Sequence, residues 1–512
     1  MSAPATYAWF AGHELRLASR DALAMLTAGR RARVSAVVAG IALFVVFMHG
    51  LAWLAVRQFT DVGRHPDQAT LVIVSGIGLL AFSLMVSQAM ESVTRAFYAR
   101  SDLDLILSSP TRTRRLFAVR IAILALSVTL MGLLLVGPFV NVLTIAAGPH
   151  WLAGYGVILS LGAVATGLAV ALTVALFRLI GPRRTRFVAQ VVAAVVGAAF
   201  VIGIQVAAIL SYGTLSRLAF LASDTLLEST PTADSFAYWP ARAILGDFSA
   251  LVPVAALGAA VLALTIAAFS GRFGEHAIAA AGAAQGAAFR TRAARAFRAG
   301  SAAAVLRRKE WMLLRRDPWL MSQTLMQILY LLPPALLLWR SFGDGADALL
   351  ILVPVLVMAG GQLAGGLAWL AISGEDAPEL VATAPVTRHA VIRAKIEAVL
   401  SALALVFAPL LVALALVAPM QAAITAAFLA VAAIAATAIQ LWFRVQAKRS
   451  IFRRRHTSSR IATFAEAFSS IGWAGTAALA AAGQWQAAGT AVLALGVLGV
   501  ARLISPHRAR RA

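Results

Sequence analysis

The chain has 512 residues, 61% of them hydrophobic and only 13% charged, with a formal net charge of +23 and no cysteine. Soluble globular domains carry about 25% charged residues, and here the apolar residues fall in blocks of about 20, the length that crosses a bilayer. Soluble multidomain folds are therefore excluded, as are disulfides, thiol nucleophiles and Cys-held metals. The basic excess reads as membrane topology rather than as nucleic-acid binding.

Taken in chain order, the first 33 residues carry Glu14, Asp21 and several arginines without a short apolar core and cleavage site, so no cleavable signal peptide is expected there. Twelve transmembrane helices are predicted, at 34–56, 70–93, 117–145, 151–177, 187–212, 249–270, 319–339, 348–372, 394–418, 421–443, 461–482 and 486–505. Only Arg57, Arg64, Arg217, Arg242 and Arg340, five of the 44 basic residues, fall on one side of this arrangement. The positive-inside rule then puts both termini in the cytoplasm. Alanine- and arginine-rich composition with only three lysines points to a bacterial chain, and so to the inner membrane. Trp53, Trp151, Trp239 and Trp339 fall near the predicted outer boundary, where they are expected to act as interfacial anchors. The outer segment 213–247 is either a small external cap or a loop.

Two polar interruptions match each other. "SDLDLILSSPTRTRRLF" (101–117) and "DAPELVATAPVTRHAVI" (376–392) align without a gap when Pro110 is laid over Pro385. Asp104 then meets Glu379, Leu105 meets Leu380, and Arg120 meets Lys395 just beyond. Ser101-x-x-Asp104 and Asp376-x-x-Glu379 are capping-box spacings, and acids suit a first helical turn. Each segment is therefore predicted to form a two-turn helix, a proline break and a new helix entering the membrane. Arg120 and Lys395 are expected to snorkel at its cytoplasmic end.

A second match pairs "ELRLASRD" with "EWMLLRRD", putting Glu14 over Glu310, Arg20 over Arg316 and Asp21 over Asp317. Both stretches are amphipathic and precede the first span of a half, so both read as interfacial helices. A weaker echo pairs the basic loops "PRRTRFVAQ" and "RRRHTSSRIATF". The expected fold is an all-α polytopic membrane protein of two parallel six-helix repeats, 1–271 and 301–512. A cytoplasmic linker, 272–300, joins them.

Several chemistries are missing from the sequence. The three lysines are followed by Glu310, Ile396 and Arg449, so no P-loop Lys-Ser or Lys-Thr exists. The acids fall in loops or near predicted helix ends, Glu91 and Glu466 coming closest to the interior, which gives no motor for an ion-coupled carrier. His49 lies well within a span and reads as a packing residue. No His/Asp cluster has metal-ligand spacing.

The two loops, "SDLDLILSSPTRTRRLFAVR" and "APELVATAPVTRHAVIRAK", resemble those of permease subunits of type-2 ABC exporters, specifically the long bacterial permeases with both membrane halves in one chain. The resemblance covers nearly the whole chain in layout, while its specific residues are confined to these loops and the two pre-span helices. It implies a transport subunit that is not itself an enzyme and binds no cofactor. Separate ABC ATPase subunits, two per chain, would use ATP, and membrane lipid rather than nucleic acid would be the other partner. It also implies that Asp102, Asp104, Leu105, Pro110, Asp376, Glu379, Leu380 and Pro385 belong to coupling helices. Glu14, Arg20, Asp21, Glu310, Arg316 and Asp317 would belong to connecting helices. Read from the residues alone, the acids are equally ordinary caps and the prolines ordinary helix terminators. An ion-coupled carrier and a membrane enzyme or assembly scaffold stay open as alternatives. The sparse polar groups of the spans, such as Asn141, Gln190 and Gln205, point to an amphipathic or lipid-like cargo.

Overall fold

A computed structural model describes residues 6–27, 34–56, 66–98, 113–212, 221–285 apart from 222, 300–316, 346–373, 378–443 and 460–505, with a few single positions between 325 and 336. Among the described residues the regular elements are all helices, and nine of these are long and apolar enough to cross a membrane. The chain is a multi-pass membrane protein. It forms two compact units, 1–208 with 216–289, and 209–215 with 290–512.

The first unit contains α1 (Tyr7–Thr27), α2 (Val34–Val56), α3 (Gln68–Tyr98), α4 (Thr113–Ala147), α5 (Ala153–Tyr212) except its last four residues, α6 (Asp224–Ser229), α7 (Trp239–Ile244) and α8 (Phe248–Gln285). The predicted fourth and fifth spans are the two limbs of α5. They meet at a sharp break rather than across the expected nine-residue loop. Gly181 makes the break with φ 73° and ψ 166°, a region essentially reserved for glycine. Pro182 follows, and the Thr185 hydroxyl donates to the Gly181 carbonyl at 2.8 Å, closing the turn.

Small residues let these helices approach closely, the usual device where lipid offers no hydrophobic drive. A Cβ on Gly258 of α8 would lie 2.8 Å from the Cα of Ser160 on α5, and one on Gly167 of α5 would lie 2.7 Å from Val261. The core of this unit holds Met85, Met90, Phe117, Ile121, Val170 and Phe177, all buried, from α3, α4 and α5. Helix α8 continues to Gln285, well into the stretch expected to be linker. Its Ala-rich sequence is a strong helix former even where it is not apolar enough to span.

The second unit contains α9 (Ala302–Arg316), α10 (Ala346–Ser373), α11 (Pro378–Thr383), α12 (Arg388–Val417), α13 (Pro419–Trp442), α14 (Arg460–Ala481) and α15 (Gln486–Ile504). Helix α10 lies at the centre, packed on α12, α13 and α14. Its glycines permit this. A Cβ on Gly361 would stand 2.5 Å from the Ser470 hydroxyl of α14, and one on Gly360 would stand 2.9 Å from Leu429 of α13. Leu356, Phe407, Leu414 and Trp473 fill the surrounding core. Gly483, at φ 68°, ends the α14 turn, with its own N–H and that of Gln484 returning to Ala480 and Leu479 carbonyls. The predicted span 319–339 lies mostly outside the described residues. The other eleven predicted spans fall on helices.

Candidate coupling segment and buried ion pairs

The downstream polar segment forms the predicted helix, break and helix. α11 covers six residues, Pro378–Thr383, and Ala384, Pro385 and Val386 make the turn. Thr387 then caps α12, its hydroxyl accepting from the Ala390 N–H at 3.3 Å. Val381 and Val386 pack against Leu306 of α9 and Val391 and Ala394 of α12, so α11 is anchored on its inner side. Leu380 points outward, 73% exposed. Pro385 is exposed in the turn. Glu379 lies in α11 with its side chain outside the described residues, as is Asp376. The upstream segment with Asp102, Asp104, Leu105 and Pro110 also lies outside them.

The pre-span helices carry the main correction. Arg120 and Lys395 do not snorkel. In the first unit the Arg120 Nε donates to Glu14 of α1 at 3.2 Å, with side chains 2% and 4% exposed. In the second unit Lys395 lies 3.0 Å from Glu310 of α9, with side chains 3% and 1% exposed. Lys395 also donates to the Ala371 carbonyl near the end of α10, so it joins three helices. The sequence pairing had already matched Glu14 with Glu310 and Arg120 with Lys395. What it lacked was the contact between the two matches.

The reason for burial is apolar packing. Phe10 of α1 is buried with Leu116 and Val119 of α4, flanked by Trp9 and Ile123. A helix pressed down by such contacts brings its acid onto the base of the neighbouring span. A charge taken out of water needs a partner, and each acid finds one. On the same two helices Arg20 is exposed. The side chains of Asp21 and Arg316, and the whole of Asp317, lie outside the described residues.

At the other end of the first unit, residues 223–247 form a packed cap rather than a loop. The two N–H groups of the Gln68 side-chain amide are shared among the Leu227 carbonyl at 3.1 Å, the Thr230 hydroxyl at 3.0 Å and the Pro231 carbonyl at 3.1 Å. Tyr238, Ala241 and Leu245 are buried with Leu71 and Trp151. Trp151 is thus a core residue and not an interfacial anchor, whereas Trp53 and Trp239 are 49% and 39% exposed. Trp339 lies outside the described residues. An open cavity of about 680 Å³ is lined by His150, Asp234, Arg242, Asp247 and Phe248, among others. Asp247 accepts from the Ser249 hydroxyl, from Arg242 and from the Ala250 N–H, and these bonds hold its carboxyl below the usual carboxylate range against a smaller opposing effect of burial.

Two interior polar groups complete the inventory. His49 is held at both ring nitrogens, by the Val45 carbonyl at 2.8 Å and the Asn141 amide at 3.2 Å, and Tyr155 donates to the same Asn141. It is a satisfied packing residue. Glu466 lies six residues into α14 and takes a hydrogen bond from Gln440 of α13, next to Gly365 of α10. This position is near the start of α14, where sequence spacing placed it. Among the described residues no group of three His, Asp or Glu could hold a metal ion. No protein-family model, curated protein or solved structure matches this chain.

Proposed function

We propose that this chain is the permease of a type-2 ABC exporter, made of two parallel six-helix repeats in the bacterial inner membrane with both termini cytoplasmic. The observation that carries this reading is α11, a short helix at a predicted cytoplasmic loop, fixed to α9 and α12 through Val381 and Val386 and presenting Leu380 outward. A docking element must be short, anchored on one side and exposed on the other, and α11 has six residues, with Val381 packed inward and Leu380 outward. The buried pairs support the repeat, because the same two aligned positions make the same bond in each unit. They also link the helix that lies before each half to the span that follows the coupling segment. A push on α11 would thereby reach α9, α10 and α12 together through Lys395.

Co-purification of the full chain from its native membrane tests the proposal. A P-loop ATPase should come down with it, two copies per chain, and Leu380→Asp should abolish that association while leaving the melting temperature unchanged. Retention of the ATPase by Leu380→Asp removes α11 as the docking element. Transport by the pure chain on an ion gradient alone overturns the permease reading.

One observation favours the ion-coupled alternative. Glu466 is a carboxylate among the packed helices of the second unit, and ionisable groups there are functional by default. If it serves a carrier, Glu466→Gln abolishes gradient-driven uptake.

A further inference from the structure

The buried pairs recur in both units, and beside the second lies a polar groove whose charged residues the repeat alignment does not carry into the first. Glu397 of α12 accepts from Arg307 Nε of α9 at 2.7 Å and from Arg393 Nε, one turn away on α12, at 2.8 Å. One carboxylate therefore holds two guanidinium groups side by side, for a net charge of +1. Both arginines bond through Nε, and among the described residues their terminal N–H groups have no hydrogen-bond partner. Those N–H forks suit phosphate. Arg307 is 54% and Arg393 80% exposed, so the forks are accessible.

The groove itself holds about 370 Å³ and is lined by Arg307, Trp311, Glu397, Ala398 and Ser401. Trp311 is 40% exposed, the placement of an aromatic at a lipid headgroup boundary. Beyond the arginines the same ridge of α12 turns apolar. Arg393, Glu397, Ser401 and Leu405 follow at four-residue steps, and Leu405, Val412 and Leu416 are 71%, 61% and 75% exposed. A charged fork, an indole and an open apolar track lie in the order of headgroup, glycerol and acyl chain.

Packing does not require these residues. At the positions the repeat aligns, the first unit has Ala11 for Arg307, Leu15 for Trp311, Ala118 for Arg393, Ala122 for Glu397 and Leu126 for Ser401. The same helix pair thus packs without any of them. We infer that the α9–α12 groove binds the headgroup phosphate of an anionic phospholipid, with an acyl chain along Leu405. The inference needs only the membrane location and stands independently of any ATPase.

Native mass spectrometry of the full chain in detergent, titrated with phosphatidylglycerol or phosphatidylcholine, tests it. Phosphatidylglycerol should be retained at least about tenfold more tightly by the wild type than by Arg307→Gln/Arg393→Gln. Arg388→Gln, on the exposed start of α12 outside the groove, should bind as the wild type does. The lipid-free melting temperature of the double variant should match the wild type, since exposed pairs contribute little. Should its lipid-free melt fall, the single variant Arg393→Gln is read instead, with a loss of severalfold expected. Inorganic phosphate at millimolar concentration should neither bind nor displace the lipid. Equal retention of the two lipids overturns the inference. So does undiminished phosphatidylglycerol binding by the variants, and so does phosphate binding as well as the lipid, which would make the groove a soluble-anion site.

Discussion

The two units solve one problem alike and others differently. Each presses an amphipathic helix onto a membrane span and buries an acid–base pair in the contact, Glu14 with Arg120 and Glu310 with Lys395. Around that shared joint they diverge. The first unit adds the cap of residues 223–247, tied to α3 by Gln68, and sets its Arg120 over the Phe117 ring at 5.6 Å. The second closes α14 to α15 with a tight turn at Gly483 and extends its pair with Lys395 reaching Ala371 and an exposed Arg–Glu–Arg bridge nearby. What both keep is a joint between surface helix and span. What each adds is specific to its own end.

The largest expected effect breaks the shared joint. Lys395→Met leaves Glu310 buried with only the partly exposed Lys309, at 3.1 Å, as its cation, so its cost should approach the lower end of the range for half-removed buried pairs, about 3–5 kcal/mol. The matching change, Arg120→Met, falls in the same range if the joints are equivalent. Thermal unfolding of the full chain in detergent measures both. The double variant Glu310→Leu/Lys395→Met should recover most of the loss, because an apolar replacement removes the buried charge along with its partner. A loss well under 1 kcal/mol in either unit would show that its pair is dispensable and end the equivalence.

Next in size come the helix contacts made through glycine. Gly258→Ala should destabilise the first unit by about 1–3 kcal/mol, since the new Cβ meets the Ser160 backbone, which cannot swing away. Gly361→Ala in the second unit meets the Ser470 hydroxyl most closely, at 2.5 Å, with the Ser470 Cβ at 3.1 Å and the Ala432 Cβ at 3.4 Å; it meets side chains and no backbone, so its loss should be smaller. Reversal of that order would mean that α10 yields less at its contacts than α5 does.

Much of this was legible in advance. Spans, the break after the polar segment and the pairing of Glu14 with Glu310 follow from hydropathy, proline and spacing, which are local properties. The ion pairs were not legible, although all four residues had been singled out. Glu14 and Arg120 lie 106 positions apart, and only the packing of Phe10 on Leu116 brings them together. An arginine at a span's end reads as snorkelling unless something covers it. Trp151 was misplaced for the same reason, because the cap that covers it lies far along the chain. Glu466 lies where spacing put it, near the start of α14, but its partner Gln440 on α13 was not legible, because the two helices meet only through packing.

The smallest predicted effect concerns a difference between the units, the cap. Asp247 begins α8 by accepting from Ser249 and Ala250, and also holds Arg242 of α7. Asp247→Asn should cost about 1 kcal/mol or less at neutral pH, the usual range for a helix cap with a partly exposed ion pair. Its carboxyl is depressed in the folded chain. The stabilisation it gives is therefore full above the ordinary aspartate value of about 3.9 and is lost as pH falls through the lower folded value. Melting temperatures of wild type and Asp247→Asn should differ at pH 7 and converge in strong acid. A gap that instead persists unchanged into acid would assign the loss to the amide's altered geometry rather than to charge. The second unit's Gly483 turn uses backbone bonds alone, so mutations there should show no such convergence.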